Sequence, residues 1–410
     1  MNRNKIQLFD KMENCCGCGT CELVCHKKAI SMTPGKLGCL YPTINEELCV
    51  GCGLCKSVCA YQGETHSNEK NIAVFAAMAE NHELLSKSAS GGVFAVIASN
   101  FLNNNGVVYG CSMEYEEQKL VPRHIRVDRK DELYKLQGSK YVQSLLGDVF
   151  QNIRQDLQER KFVLFSGTPC QVDALNKYLE KEDKSLLYTI DIICHGVPSL
   201  QMFGEYIETI EKKKHGKITE FYFRDKTWGW GLNAKYIWEN ETGKKNRENI
   251  SADISSYYSL FLESEIYRDS CYSCKYAGGP RVGDITIGDF WCVEKEHPEY
   301  MVENGGTLSN TNGISCVLVN TEQGENMLSR YSTGLICEKS QAVKVSKWNR
   351  QLKQPSGFSD KRKKVIKAYE NKGYQGVERV YRNSLGVKYF VKLMRNRRRE
   401  CKKNKEANIS

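Results

Sequence analysis

No apolar run in this 410-residue chain reaches the ~18 residues that a membrane-spanning helix requires. The longest candidate, residues 93–102, is broken by Ser99 and Asn100. The first ten residues have no apolar core, so no secretory leader is expected, and with it goes the oxidising compartment in which disulfides persist. A cytoplasmic setting with reduced thiols is the expectation. Internal repetition is missing apart from one doubled cysteine motif. Net charge is nearly missing from most of the chain. The formal total is +10, but from Lys361 onward 17 Lys and Arg face 4 Glu, a net of +13, which leaves −3 for the preceding 360 residues. The basic excess belongs to the tail. No nucleic-acid module accompanies it, so nucleic acid is not an expected partner. Hydrophobic residues make up 40 %, enough for a real core, and the length suits two or three domains.

Cysteine is abundant instead. Cys15, Cys18, Cys21 and Cys25 stand in the spacing C-x2-C-x2-C-x3-C, and Cys49, Cys52, Cys55 and Cys59 repeat it. This is the spacing by which bacterial two-cluster ferredoxins hold a pair of 4Fe-4S cubanes. Three thiolates on a tight loop cap three irons of one cube, and Gly17, Gly19, Gly51 and Gly53 let the backbone curl around it. The fourth cysteine, expected at the start of the next helix, reaches the other cube. The expected ligand sets are therefore Cys15, Cys18, Cys21 with Cys59, and Cys49, Cys52, Cys55 with Cys25. Zinc would want two pairs rather than two sets of four. The proline that usually follows the fourth cysteine is missing: His26 and Ala60 stand there, a change that removes no ligand. Cys16 and Cys39 are surplus and suit small buried hydrophobes.

Residues 5–65 form this α+β ferredoxin-like module, and the polar residues 66–71 read as a linker. From 72 to about 340, apolar runs alternate with helical periods. Strands are expected at Val107-Val108-Tyr109, at Phe162-Val163-Leu164-Phe165 and over residues 186–193. Leu145, Leu146, Val149, Phe150, Ile153 and Leu157 mark one helix, and Val172, Leu175 and Leu179 another. This rhythm predicts an α/β domain with a mixed sheet, and functional groups beyond the strand C-termini, where Cys170 and Cys194 fall. Aromatic segments near residues 221–223 and 236–238 suggest a meander, residues 254–267 a helix, and residues 284–291 a strand. Residues 341–410 form a basic, polar extension.

Cys271 and Cys274 make a further C-x2-C pair. Two readings stay open on spacing alone. Cys170, Cys194, Cys271 and Cys274 converge on a third cubane, or Cys170 and Cys194 are buried apolar residues and the pair is a redox dithiol.

Several ordered motifs carry a resemblance. Residues 87–92 (Lys-Ser-Ala-Ser-Gly-Gly), 137–142 (Gln-Gly-Ser-Lys-Tyr-Val), 165–171 (Phe-Ser-Gly-Thr-Pro-Cys-Gln), 194–199 (Cys-His-Gly-Val-Pro-Ser) and 281–290 together resemble the coenzyme F-420 hydrogenase/dehydrogenase beta-subunit family, with the ferredoxin module fused in front. F-420 is an 8-hydroxy-5-deazaflavin, a two-electron hydride carrier. The resemblance implies a flavin, typically FAD, beside a 4Fe-4S cluster, and it matches Cys170, Cys194, Cys271 and Cys274 to that cluster's ligands. The family also includes reductases of other substrates, so the resemblance does not fix a substrate.

Ser88, Ser90, Gly91 and Gly92 precede an apolar helix beginning near Val93. Free backbone N–H groups there suit a pyrophosphate; the alternative is an ordinary helix start capped by Ser90. The resemblance favours the phosphate reading. Lys140 is a candidate charge partner for phosphate or reduced flavin, and Thr168 and Gln171 are candidates to hydrogen-bond the isoalloxazine edge. His195 is a candidate proton donor, with a structural histidine as the alternative. The implied function is an oxidoreductase passing electrons between a hydride-carrying small molecule, F-420-like or NAD(P)H, and clusters that serve a ferredoxin or a partner redox subunit. The competing reading is a non-catalytic electron-transfer subunit. The tail, apolar and basic together over residues 386–394, has two readings: a short interfacial helix in peripheral contact with a membrane, or a solvated end.

Overall fold

The computed structural model describes residues 6–62 and 72–407; the linker expected at residues 66–71 lies outside them. The N-terminal module holds two short helices, α1 (Thr20–Leu23) and α2 (Leu54–Ser57), and a hairpin of β1 (Ile30–Pro34) with β2 (Leu40–Ile44). Register runs antiparallel from Ile30 opposite Ile44 to Pro34 opposite Leu40. The four loop glycines, Gly17, Gly19, Gly51 and Gly53, all stand at positive φ, between 67° and 79°. One detail departs from the sequence expectation. Cys25 and Cys59 follow α1 and α2 rather than opening a helix; Cys21 and Cys55 are the helical members.

The main domain is built on an eight-stranded mixed sheet. Its elements begin with β3 (Ala73–Ala79), α3 (His82–Lys87), α4 (Val93–Asn103), β4 (Val107–Glu116), β5 (Lys119–Val127), α5 (Val149–Gln158), β6 (Val163–Gly167), α6 (Pro169–Tyr178) and β7 (Leu187–Ile192). Then come α7 (Leu200–Lys214), β8 (Gly216–Tyr222), β9 (Asn233–Asn240), β10 (Lys245–Ser251), α8 (Ser256–Leu262), β11 (Ile285–Asp289), α9 (Val293–Glu296), β12 (Ser315–Val319), α10 (Glu322–Tyr331), β13 (Leu335–Lys339), α11 (Ala342–Trp348), α12 (Asp360–Leu385) and α13 (Val387–Ala407). Strand order is β13-β3-β12-β11-β7-β6-β4-β5. The centre, β11, β7, β6 and β4, is parallel, and the flanks are antiparallel.

Side-chain alternation explains the layering. Val163, Phe165 and Leu187 face α5 and α6, while Leu164 and Tyr188 face α4 and α10. Strands covered on both faces are apolar throughout, which is why residues 163–165 read as one continuous run. The N-terminal module joins the α5/α6 side, where Cys16 and Ala60 enter the core. The expected meander is the separate antiparallel sheet β10-β9-β8, packed with α7, α8 and α12 around a second core.

Two elements differ from expectation. The helix expected over residues 254–267 stops at Leu262, because Ser264 takes a left-handed φ of 61°. The polar extension holds the short α11 and two long helices. α12 places Val365, Tyr369, Tyr374, Val377 and Tyr381 in the second core and bends at Lys372 and Gly373. No helix among the described residues is long and apolar enough to cross a membrane.

Candidate functional site

The C-terminal ends of the parallel strands open into one cavity of about 450 Å³, within the ~300–1,000 Å³ of ordinary ligand sites. β4 contributes Gly110 and Cys111, β6 contributes Ser166 and Gly167, and β11 contributes Ile287, Gly288 and Asp289. Cys194 and His195 follow β7 into it. This is the place a parallel sheet offers a ligand, where strand ends and helix starts meet.

Most of the residues singled out in the sequence meet here: Ser88, Ser90, Gly92, Lys140, Thr168, Gln171 and His195 all line the cavity. Gly91 turns away, with its N–H on Ser315 Oγ at 3.0 Å and its carbonyl on Ala79 N at 2.7 Å. Ser90 is not the cap of α4. Its hydroxyl donates to the Ile314 carbonyl at 3.1 Å, and the capping position is Gly92, at φ 81° with no side-chain cap. Val93, Phe94 and Ala95, whose N–H groups have no partner within a helix, line the cavity. Ser88 Oγ donates to the Leu84 carbonyl at 2.7 Å.

Lys140 is half-buried, and its Nζ donates to the carbonyls of Gln137 (2.7 Å) and Lys135 (3.1 Å). Burial pulls its pKa down to about 8. Thr168 and Gln171 are already engaged. Gln171 Oε1 accepts from Thr168 N (3.0 Å) and Oγ1 (3.1 Å), and Gln171 Nε2 donates to Ser144 Oγ at 3.0 Å. They form the capping box of α6, so their first task is to fix the loop that carries Cys170. His195 is accessible from the cavity, and the surrounding protein holds its imidazole below its ordinary range.

Sequence reasoning missed the far wall. The Arg224 guanidinium, 2 % exposed, pairs with Asp289 at 2.8 Å and lies 5.6 Å from both the Trp230 and Trp291 rings. Its Nε is buried with no hydrogen-bond partner. Asp289 falls inside the motif of residues 281–290. Arg224 had no spacing to flag it.

The cysteines gather in three places. The thiols of Cys18, Cys15 and Cys59, after burial, raise the pKa of Cys21, so these four are electrostatic neighbours. Cys25, Cys49, Cys52 and Cys55 line one small cavity. Cys170, Cys194, Cys271 and Cys274 line another, with Cys16. Among the described residues no three His, Cys, Asp or Glu side chains converge on one metal ion. Cubane ligands have no need to converge so, since each thiolate binds its own iron. The donor chemistry of all three groups therefore fits iron–sulfur clusters. Cys39 is a buried small side chain, 1 % exposed. Cys16 is buried too, but it stands between groups: hydrogen bonding with it pulls Cys18 down to about 6 and lowers Cys170. Both shifts favour the thiolate, the iron-binding form.

The module is bolted to the main domain around these thiols. Gln143 Nε2 donates to the carbonyls of Cys16 and Gly17, both at 2.9 Å, and Ser199 Oγ donates to Leu37 O at 2.6 Å. Lys36 pairs with Asp269 at 3.1 Å, and Lys275 donates to the Ala60 carbonyl.

Comparison with known proteins matches two stretches of the chain. Residues 42–59 match the model of the 4Fe-4S binding domain. No curated protein matches. A solved structure described as a xenon derivatization of the F420-reducing [NiFe] hydrogenase complex from Methanosarcina barkeri is similar at 12 % identity and a TM-score of 0.43, covering 76 % of this chain and 96 % of that one. Residues 160–344 match the model of the coenzyme F420 hydrogenase/dehydrogenase family that describes the C terminus of its beta subunit, and the 4Fe-4S match lies in front of that stretch.

Proposed function

We propose that the chain is an iron–sulfur flavoprotein oxidoreductase. It relays electrons between a hydride-carrying small molecule, a deazaflavin of the F-420 kind or NAD(P)H, and 4Fe-4S clusters that serve a ferredoxin or a partner redox subunit. One observation carries this reading: Cys16, Cys18, Cys170 and Cys194 stand in the wall of the same cavity as Ser88, Gly92 and Lys140. Thiols for iron and a cradle for an anionic organic group share one space.

In this reading residues 5–65 hold two clusters, on Cys15, Cys18, Cys21 and Cys59 and on Cys25, Cys49, Cys52 and Cys55. Residues 72–340 hold FAD and a third cluster on Cys170, Cys194, Cys271 and Cys274. A flavin, when bound, supplies the exchange between a hydride pair and single electrons, which clusters carry one at a time. The protein's part is to hold and orient. The first turn of α4 offers backbone N–H groups to a phosphate, and Gly92 adds no side chain there. The Lys140 ammonium adds positive charge on the same wall. The Arg224–Asp289 pair, its guanidinium beside the mutually packed Trp230 and Trp291 rings, braces the far wall and leaves one buried N–H unpartnered. His195 can hold or release a proton at the cavity surface.

The test is anaerobic purification of the full chain with iron, sulfide and flavin quantified. About 12 Fe per chain, three cubes of four, with stoichiometric flavin is expected. Clusters without flavin would make the chain a non-catalytic electron carrier. Zinc in place of iron would overturn the reading entirely.

A further inference from the structure

We propose that the outer face of α13 docks the protein on an anionic lipid bilayer, with the helix lying flat in the headgroup layer. This goes beyond the redox reading and does not depend on it.

The helix is held on one side only. Asn396 Oδ1 accepts from Ser251 N at 2.9 Å, and its Nδ2 donates to the Asn249 carbonyl at 3.2 Å. Lys392 pairs with Asp253 at 3.4 Å, the Tyr389 ring meets Tyr381 edge-on, and the Arg399 guanidinium lies 5.0 Å from the Trp228 ring. Residues 389, 392 and 396 recur at three and four, so they form one stripe facing the body. Asn396 is buried at 6 % exposure, which anchors the middle of the helix.

At 100° per residue, Val387, Phe390, Val391 and Met394 fall on the opposite side. They are 80 %, 66 %, 46 % and 58 % exposed. Four large apolar side chains in one solvent-facing ridge are costly unless something covers them. Their surroundings say what. Lys388, Arg395, Arg397, Arg398 and Lys402 flank or continue the ridge, and the helix carries nine Lys and Arg against two Glu.

A protein partner is the poorer match, because the cores of protein interfaces are depleted in lysine and other charge. An apolar ridge with cations along its edges is the pattern of interfacial helices. The apolar side enters the acyl boundary, and the cations meet lipid phosphates. The pinned inner side fixes which way the ridge faces, so the body is already oriented when it lands.

The test is vesicle flotation of the full chain with phosphatidylcholine vesicles, with and without phosphatidylglycerol. Flotation with the anionic vesicles, absent with the neutral ones and weakened by salt, is expected. Phe390→Glu combined with Met394→Glu abolishes it. Both sites are exposed, so the melting temperature stays put. Arg397→Glu with Arg398→Glu keeps the ridge and weakens binding by about tenfold or more. Failure of the wild type to float overturns the proposal, as does wild-type flotation of the double-Glu ridge variant. A self-association removed by the ridge variant, without vesicle binding, would give the face to a second copy of the chain and also overturn it.

Discussion

Arg268 lies directly against Cys15: its Nε donates to the Cys15 carbonyl at 2.7 Å, and its Nη2 stands 3.5 Å from the Cys15 sulfur. The guanidinium is 1 % exposed, lies 4.2 Å from the Tyr41 ring, and donates also to the Leu40 carbonyl at 2.7 Å. A full positive charge from the main domain is thus buried at the first cysteine loop. Gly17 makes room for it, since a Cβ there would collide with the guanidinium.

Buried charge of this kind favours the more negative, reduced form of a neighbouring cluster. Arg268→Gln is expected to lower the midpoint potential of the cluster on Cys15, Cys18, Cys21 and Cys59 and to leave the one on Cys25, Cys49, Cys52 and Cys55 near its original value. A redox titration followed by electron paramagnetic resonance reads both. Equal shifts, or none, would remove Arg268 as the cause. The same variant loses about 2–5 kcal/mol of stability, because the Cys15 and Leu40 carbonyls lose a buried donor.

Cys170→Ser and Cys274→Ser should each remove the same block of about 4 Fe and spare the N-terminal clusters. Cys16→Ser should remove none, since Cys16 touches the ligand thiols without belonging to a set. Iron and sulfide analysis of the three variants decides it. Full iron in either ligand variant would break the assignment.

Gly92→Val puts a branched side chain at φ 81°, with its Cβ 3.1 Å from Ala79 Cβ. Strain of about 1–3 kcal/mol follows at the start of α4, and relieving it displaces the backbone N–H groups of the cradle. The expected outcome is loss of flavin absorbance with the N-terminal clusters intact. Stoichiometric flavin in a folded Gly92→Val protein would move the site elsewhere.

The charge on Lys140 sets a pH window. Its folded pKa, pulled down to about 8, lies below the ~10.4 of an unfolded lysine. Below pH 8 it is charged in both states. Between about 8 and 10.4 only the unfolded chain keeps the proton, so this group makes stability rise with pH across that range. Flavin retention should move the other way, falling as pH passes 8 and the cation is lost. Lys140→Met should flatten that dependence. A wild-type retention curve with no inflection between pH 7 and 9 would sink the assignment.

The doubled cysteine motif and the strand–helix rhythm of residues 162–193 were readable because each rests on short-range spacing. Val163–Gly167 and Leu187–Ile192 fall within a residue or two of their expected places, and Pro169–Tyr178 begins three residues before the expected apolar period at Val172, Leu175 and Leu179. The convergence of Ser88, Lys140 and His195 came only through the resemblance, since nothing local links three segments so far apart. Arg224 and Arg268 were invisible: each acts through partners 65 and 253 residues away. The tail misled for a different reason. The apolar stripe of α12 was present in the sequence, but the many lysines and arginines around it drew attention to charge instead of period. Ser90 was a reasonable cap by type, yet the Ile314 carbonyl competes for its hydroxyl.

The bolting of the N-terminal module has a mechanical corollary. A carrier tied down through Gln143, Arg268, Lys36 and Lys275 does not shuttle; it behaves as a fixed wire whose internal gaps are set once, at folding. Traffic with the outside world must then pass at its free end. There Cys52 is exposed, ringed by Leu48, Val50 and Leu54 at 49 %, 51 % and 46 % exposure. In such a device electron exchange is expected to depend on contact at that collar and not on any swing of the module itself.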